Sequence, residues 1–191
     1  MLLKLDFAKE FDTIEHAPML EIMRDMRFDD KWLGWMKTIF GSGVSSVLLN
    51  GVPGRKFSCK CGVRQGDPLS PRIFVLAADL LQATANDAFA RRLIELPTPC
   101  NRSGDFPVVQ YADDTIIMVE GSTQDVANLK FLLLCFQQMS GLTINFDKSE
   151  VMVLGYPPVE AQAIADRLNC RLGSFPTTYL GIPISDSRLT V

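Results

Sequence analysis

Apolar positions along this chain change period several times, and each change marks an element. Leu2 to Phe7 predicts a short strand that ends in an Asp. From about Ile14 to Phe40 the spacing turns helical. Met19, Ile22, Met23 and Met26 recur at three- and four-residue steps, and Trp32, Trp35, Met36 and Ile39 repeat the pattern. Phe28-Asp29-Asp30 breaks this stretch into two helices, and the Met/Trp stripe reads as their packing face. Val44 to Leu49, then Asn50-Gly51, then the run up to Gly62 predicts a hairpin, since Asn-Gly suits a tight turn. Ser70-Pro71 opens a strong helix through about Leu93, with Ser70 as N-cap and Pro71 at the first helical position. Pro97, Pro99, Asn101, Ser103 and Gly104 make a loop.

Val108 to Tyr111 and Thr115 to Val119 are β-branched runs joined by Ala112-Asp113-Asp114, which predicts a second hairpin with acids at its tip. Ser122-Thr123-Gln124-Asp125 has the form of a capping box and starts a helix ending near Gly141. A strand pair (Thr143 to Phe146, Val151 to Leu154), a helix near Pro158 to Leu168 and a last strand at Tyr179 to Ile184 complete the chain. The order is β-α-β-β-α-β, which predicts an α+β fold: a split βαβ, ferredoxin-like core with an antiparallel sheet packed on helices.

Composition narrows the picture. At 191 residues and 47% apolar, the chain suits one domain with a sizeable core, and nothing approaches 18 consecutive apolar residues, so no membrane partner is expected. No signal peptide or other targeting signal is visible. Cys59, Cys61, Cys100, Cys135 and Cys170 are odd in number and scattered, and His16 is the sole histidine, which points to free thiols rather than a zinc site or disulfides. The net charge of −3 counts against a stand-alone nucleic-acid binder. It fits a domain whose carboxylates gather at a metal site while basic surfaces lie on neighbouring subdomains.

Three carboxylates stand out: Asp6 at a strand end, and Asp113 and Asp114 at a hairpin tip. An Asp pair in a turn is ordinarily solvated turn chemistry. A hairpin can also aim both acids at a neighbouring strand, where a third Asp would close a site for hard divalent cations. The surrounding text decides between these. Tyr111-Ala112-Asp113-Asp114 resembles the signature hairpin of reverse transcriptases, and Leu5-Asp6-Phe7-Ala8-Lys9-Glu10-Phe11-Asp12 resembles the first palm motif of that family. Gly62-Val63-Arg64-Gln65-Gly66-Asp67-Pro68-Leu69-Ser70-Pro71 is similar to its second motif. Gly141 to Ser149 and Tyr179-Leu180-Gly181-Ile182-Pro183 resemble the later ones, in the family's order. The wording looks most like LINE-type, non-LTR retrotransposons of plants, with a group II intron maturase as the alternative.

The resemblance implies a right-hand polymerase palm with part of the fingers over residues 1–191, with N-terminal fingers and C-terminal thumb outside the chain. It implies RNA-directed DNA polymerase activity on an RNA template, a DNA primer and dNTPs, in the nucleus or cytoplasm. Two Mg²⁺ ions, with Mn²⁺ as a substitute, would be held by Asp6, Asp113 and the Phe7 carbonyl, and Asp114 would complete the acidic site. Phe11 matches the position whose ring crowds a sugar 2′-hydroxyl, or is an ordinary core Phe. Gln65 and Gly66 would line the nucleotide and template pocket, with Gly66 allowing close backbone approach. Arg64 would touch template phosphate, or be a solvated surface Arg, and Tyr111 would lie near the primer end. Lys148 matches a lysine that protonates or neutralises the leaving pyrophosphate. Asp12 and Asp67 read as structural, Asp12 capping a helix near Thr13 and Asp67 in a turn before Pro68. One departure matters: Glu10 stands where the family commonly carries a small residue. A carboxylate beside the nucleotide implies impaired catalysis, and with it the second reading of the chain as an inactive, truncated retroelement remnant.

Overall fold

The computed structural model describes residues 1–97 and 104–187. Cys100 and the loop residues Pro99, Asn101 and Ser103 lie outside the described residues, as does the side chain of Glu10.

β1 (Leu2–Leu5) and β2 (Phe7–Ala8) are separated by Asp6, which belongs to neither, so the strand expected over residues 2–7 is two short strands. A single turn, α1 (Glu10–Thr13), leads to α2 (His16–Asp25) and α3 (Asp30–Gly41). The break falls where the Asp residues predict it: Asp29 caps α3, its carboxylate accepting the Trp32 N–H at 2.8 Å. Asp12 lies inside α1 and caps nothing, because the next helix starts four residues later.

The hairpin region holds β3 (Val44–Ser45), β4 (Leu48–Leu49), β5 (Val52–Pro53) and β6 (Phe57–Ser58). β3 pairs with β6 and β4 with β5. Asn50 and Gly51 both take positive φ (49° and 81°), as a two-residue primed turn requires. α4 (Ser70–Ala90) begins with Ser70 as a helical residue, so Ser70 is not the cap. Asp67 does that work, its carboxylate accepting the Leu69 N–H at 2.8 Å in an Asx-type turn ahead of the helix. α4 is long and apolar enough to cross a membrane by length and composition alone. Its Ile73, Phe74, Ala77, Leu81, Ala85 and Ala88 are buried in the core, which accounts for that apolarity.

β7 (Val108–Tyr111) and β8 (Asp114–Met118) form the second hairpin, and Asp114 is the first strand residue opposite Tyr111. The tip is therefore Ala112-Asp113 alone. α5 (Thr123–Ser140) starts in a complete Ser122/Asp125 capping box and ends at Gly141 (φ 75°). β9 (Thr143–Ile144) and β10 (Glu150–Met152) do not pair with each other as expected: β9 pairs with β2 and β10 with β1. α6 (Pro158–Leu168) precedes β11 (Arg171–Leu172), which joins β10 in parallel. The last strand is instead a hairpin, β12 (Thr177–Tyr179) and β13 (Ile182–Ile184), because Leu180 and Gly181 both turn at positive φ.

The main sheet runs β11-β10-β1-β8-β7. Without β11 this is antiparallel, with β1 and β8 central and α4 and α5 as crossovers, as the split βαβ order predicts. Period-2 alternation gives the sheet two faces. Leu3, Leu5, Ile117 and Val151 enter the main core shared with the helices. Leu2, Ile116 and Met152 form a smaller cluster on which Phe175, Tyr179 and Ile184 pack.

Candidate active site

The acids gather at one end of the central strands. β1 and β8 are in register through Leu5 opposite Thr115, so Asp6, which follows Leu5, and Asp114, which precedes Thr115, lie at the same end of the central strands. Alternation along β8 assigns Asp114 to the face of Ile116, the side covered by the β12–β13 hairpin. Asp113 stands beside Asp114 on the exposed tip, with Ala112 before it at φ 51°. Only the first central residue of this turn has positive φ, the sign pattern of a type II′ turn that usually takes Gly there. An Ala at such an angle stores about 1 kcal/mol or more of strain, which β7–β8 pairing holds in place.

The backbones of Asp6 and Asp114 are tied from a distance. The Asp6 N–H donates to Ser149 Oγ at 3.1 Å, and its carbonyl accepts the Asn145 N–H at 2.8 Å. The Tyr179 hydroxyl donates to the Asp114 carbonyl at 3.2 Å. Burial first, and the Asp114 charge second, push the Tyr179 phenol above its ordinary pKa, so it stays protonated and able to donate. Lys4 Nζ reaches the Thr178 carbonyl at 3.2 Å and fastens the same hairpin. The sequence pattern assigns no role to the side chains of Ser149 and Tyr179. Their signal was slight: each lies in a motif, but only the fold shows what its hydroxyl meets.

The other expected residues divide into two groups. Phe7 is buried, its ring 6.5 Å from Phe74 and 6.2 Å from Phe136. Tyr111 is exposed across the hairpin from Asp114. Lys148 is exposed in the Asn145–Ser149 turn, whose Asn145 carbonyl and side chain accept the Lys148 N–H at 3.2 and 3.3 Å. Phe11 is half-buried 5.8 Å from Phe74, and its carbonyl accepts the Val63 N–H at 2.6 Å, fastening the second motif to the first.

Arg64 and Gln65 are exposed and line a separate cleft of about 410 Å³ with Asp12, His16, Phe40 and Cys61, and none of the three acids lines it. Gly62, rather than Gly66, makes the close approach. A Cβ on Gly62 would lie 2.9 Å from the Asp12 carbonyl oxygen, whereas one on Gly66 would meet nothing, so Gly66 is needed for its φ of 82°. His16 is a structural residue, stacked 4.5 Å from Phe40 with Nε2 donating to the Gly62 carbonyl at 2.7 Å. Cys59, Cys61, Cys135 and Cys170 are free thiols.

Among the described residues no three His, Cys, Asp or Glu side chains converge as a ready-made metal cage. The donor set nonetheless suits a hard divalent cation. Mg²⁺ keeps several waters and takes one or two carboxylates plus substrate phosphates, and Asp6, Asp113 and Asp114 lie at one end of the central strands.

The sheet order, the acid-bearing hairpin and the helices behind it define a polymerase palm. Two solved telomerases share the fold: the apo enzyme of Candida tropicalis truncated from its C-terminal domain (TM-score 0.55, 16% identity, 78% of this chain and 29% of that one) and the Candida albicans enzyme in complex with a telomeric RNA fragment (TM-score 0.57, 18% identity, 82% and 27%). The profile of the family described as reverse transcriptase (RNA-dependent DNA polymerase) matches residues 1–184, and the chain belongs to that family. Curated relatives include the Pol polyprotein of the type-1 retrotransposable element R2 of Popillia japonica, 28% identical over 77% of this chain and 23% of its own length. The transposon TX1 149 kDa protein of Xenopus laevis is 27% identical over 96% and 14%, and the R2DM polyprotein of Drosophila melanogaster 25% over 89% and 15%. The chain thus spans less than a quarter of each of these relatives.

Proposed function

We propose that this chain is the palm, with part of the fingers, of an RNA-directed DNA polymerase from a LINE-type, non-LTR retrotransposon of a plant. The observation that supports the reading is the β1–β8 register, which brings the end of β1, where Asp6 follows, to the end of the sheet that carries Asp113 and Asp114. The family match and the R2 and TX1 relatives support the retrotransposon origin, and the plant assignment rests on motif wording.

In this reading Asp6 and Asp113 hold two Mg²⁺ ions, with the Phe7 carbonyl as a further ligand, and Asp114 completes the charge. The ions, when bound, supply the Lewis acidity that joins a primer 3′-hydroxyl to the α-phosphate of a dNTP as pyrophosphate leaves. Phe11 crowds the sugar 2′-position, Gln65, Gly66 and Arg64 guide nucleotide and RNA template, Tyr111 meets the primer end, and Lys148 offers a proton or a charge to the pyrophosphate. The residues that fasten Asp6 and Asp114 hold these groups before substrate arrives, so little reorganisation is needed at the moment of reaction.

The test is primer extension on poly(rA)/oligo(dT) with Mg²⁺, comparing the chain with Asp113→Ala. Incorporation that disappears in the variant supports polymerase activity of this chain through Asp113 and sets aside the inactive reading. Absence of incorporation by both favours the second reading, an inactive retroelement remnant, for which Glu10 at a small-residue position is the motivating observation.

A further inference from the structure

Asp6 sits at a junction with no ladder of its own. β1 belongs to the main sheet and β2 to the small ladder with β9, and Asp6 is the residue between them. Across from it, the Asn145–Ser149 turn joins β9 to β10 and spans the same gap. Lys4 pairs with Glu150 on one side and Phe7 with Ile144 on the other. Two residues on one strand thus face five on the other, a bulge that leaves the Asp6 N–H without a strand partner.

Ser149 fills that bulge. It is 1% exposed, its Oγ accepts the Asp6 N–H at 3.1 Å, and its hydroxyl proton goes to the Asn145 carbonyl at 2.8 Å. The Asn145 N–H returns to the Asp6 carbonyl at 2.8 Å, closing a loop of three bonds around Asp6. The far side of the turn is anchored too. The Arg171 N–H donates to the Ser149 carbonyl at 3.0 Å, and the Arg171 guanidinium donates to the Lys148 carbonyl at 2.9 Å while pairing with Glu150. A buried hydroxyl with both its donor and acceptor engaged has one orientation, and that rigidity passes to Asp6.

We infer that Ser149 is a positioning residue: its buried hydroxyl fixes the Asp6 backbone, and thereby its carboxylate, relative to Asp113 and Asp114. The same bonds make Asp6 and the Lys148-bearing turn one unit, so displacement of the turn displaces the carboxylate. This rests on the reading of Asp6 as a metal ligand. Supporting residues of this kind commonly change metal affinity by about 10- to 100-fold when removed.

The experiment is Mn²⁺ binding to the full chain, followed by electron paramagnetic resonance, with thermal unfolding recorded on the same samples. Ser149→Ala is expected to weaken Mn²⁺ binding about 10-fold and Ser149→Thr to restore most of it. Ser149→Cys fills the site with a slightly larger, weakly accepting sulfur, so it carries the same expectation as Ser149→Ala if the alanine variant does not fold. Unchanged Mn²⁺ affinity in the folded Ala or Cys variant, even with a lowered Tm, overturns the inference and leaves the proposed function standing. Unchanged affinity in Asp6→Asn instead removes the metal-ligand reading itself, and the role of Ser149 with it.

Discussion

The acid-bearing end of the sheet and the hairpins of residues 44–58 use the same kind of secondary structure to opposite ends. β1 is buried on both sides, flanked by β8 and β10, and Asp6 just after it is held by residues some 140 positions away. In β3 to β6 every strand residue is exposed, each strand is two residues long, and each pairs only within the region. Val47, Leu48, Leu49, Val52 and Phe57 remain in contact with solvent. The first region gains its order from packing and non-local hydrogen bonds, the second from turn chemistry such as Asn50-Gly51. The end of the sheet that carries Asp6, Asp113 and Asp114 is thus held by residues distant in sequence, as the bonds to Ser149, Asn145 and Tyr179 show.

The contrast can be broken by substitution, and the largest effect belongs to the sheet. Leu3 is fully buried in β1, and Leu3→Ala should cost about 3 kcal/mol of stability by urea unfolding, combining lost transfer energy with a cavity. A loss below about 1 kcal/mol, within the range of surface changes, would show that the central strand is not the anchor described. A smaller effect is expected at the seam between α5 and the first motif. A Cβ on Gly141 would lie 2.5 Å from the Glu15 nitrogen, at a φ of 75°, so Gly141→Ala should destabilise by about 2 kcal/mol. Gly34, where a Cβ meets nothing, is the control within an ordinary helix: Gly34→Ala should leave the unfolding midpoint unchanged or raise it. The smallest effect is expected in the outer hairpins, where Leu49 is 74% exposed and Leu49→Ser should stay within about 0.5 kcal/mol. A larger cost there would mean that the region has a packing partner which its exposure does not reveal.

Much of the fold could be read in advance because its signals are local. The Ser122/Asp125 capping box, the Asp29 break and the Asn50-Gly51 turn each satisfy their backbone groups within a few residues, and all three stand where the pattern places them. Errors fell where a local signal was compatible with two outcomes. Ser70 looks like a cap, but Asp67 reaches the Leu69 N–H first. Tyr179 to Ile184 is apolar enough for one strand, yet Leu180 and Gly181 fold it into two. The acidic residues were legible as a set, since Asp6 and the Asp113-Asp114 pair stand out against apolar runs. The separation of the Arg64 and Gln65 cleft from those acids was not.

By itself the sequence determined the main helices, the turn at Asn50-Gly51 and the acid-bearing hairpin, because periodicity and turn chemistry act over a few bonds. Only the tertiary structure decided partners. β9 and β10 could have paired with each other, but separate to β2 and β1, leaving a bulge across from Asp6. A two-residue period says which side of a strand is apolar and nothing about which other strand will cover it. That choice follows from packing the whole core at once, and it is what puts the Ser149 hydroxyl on the Asp6 N–H and the Tyr179 hydroxyl on the Asp114 carbonyl.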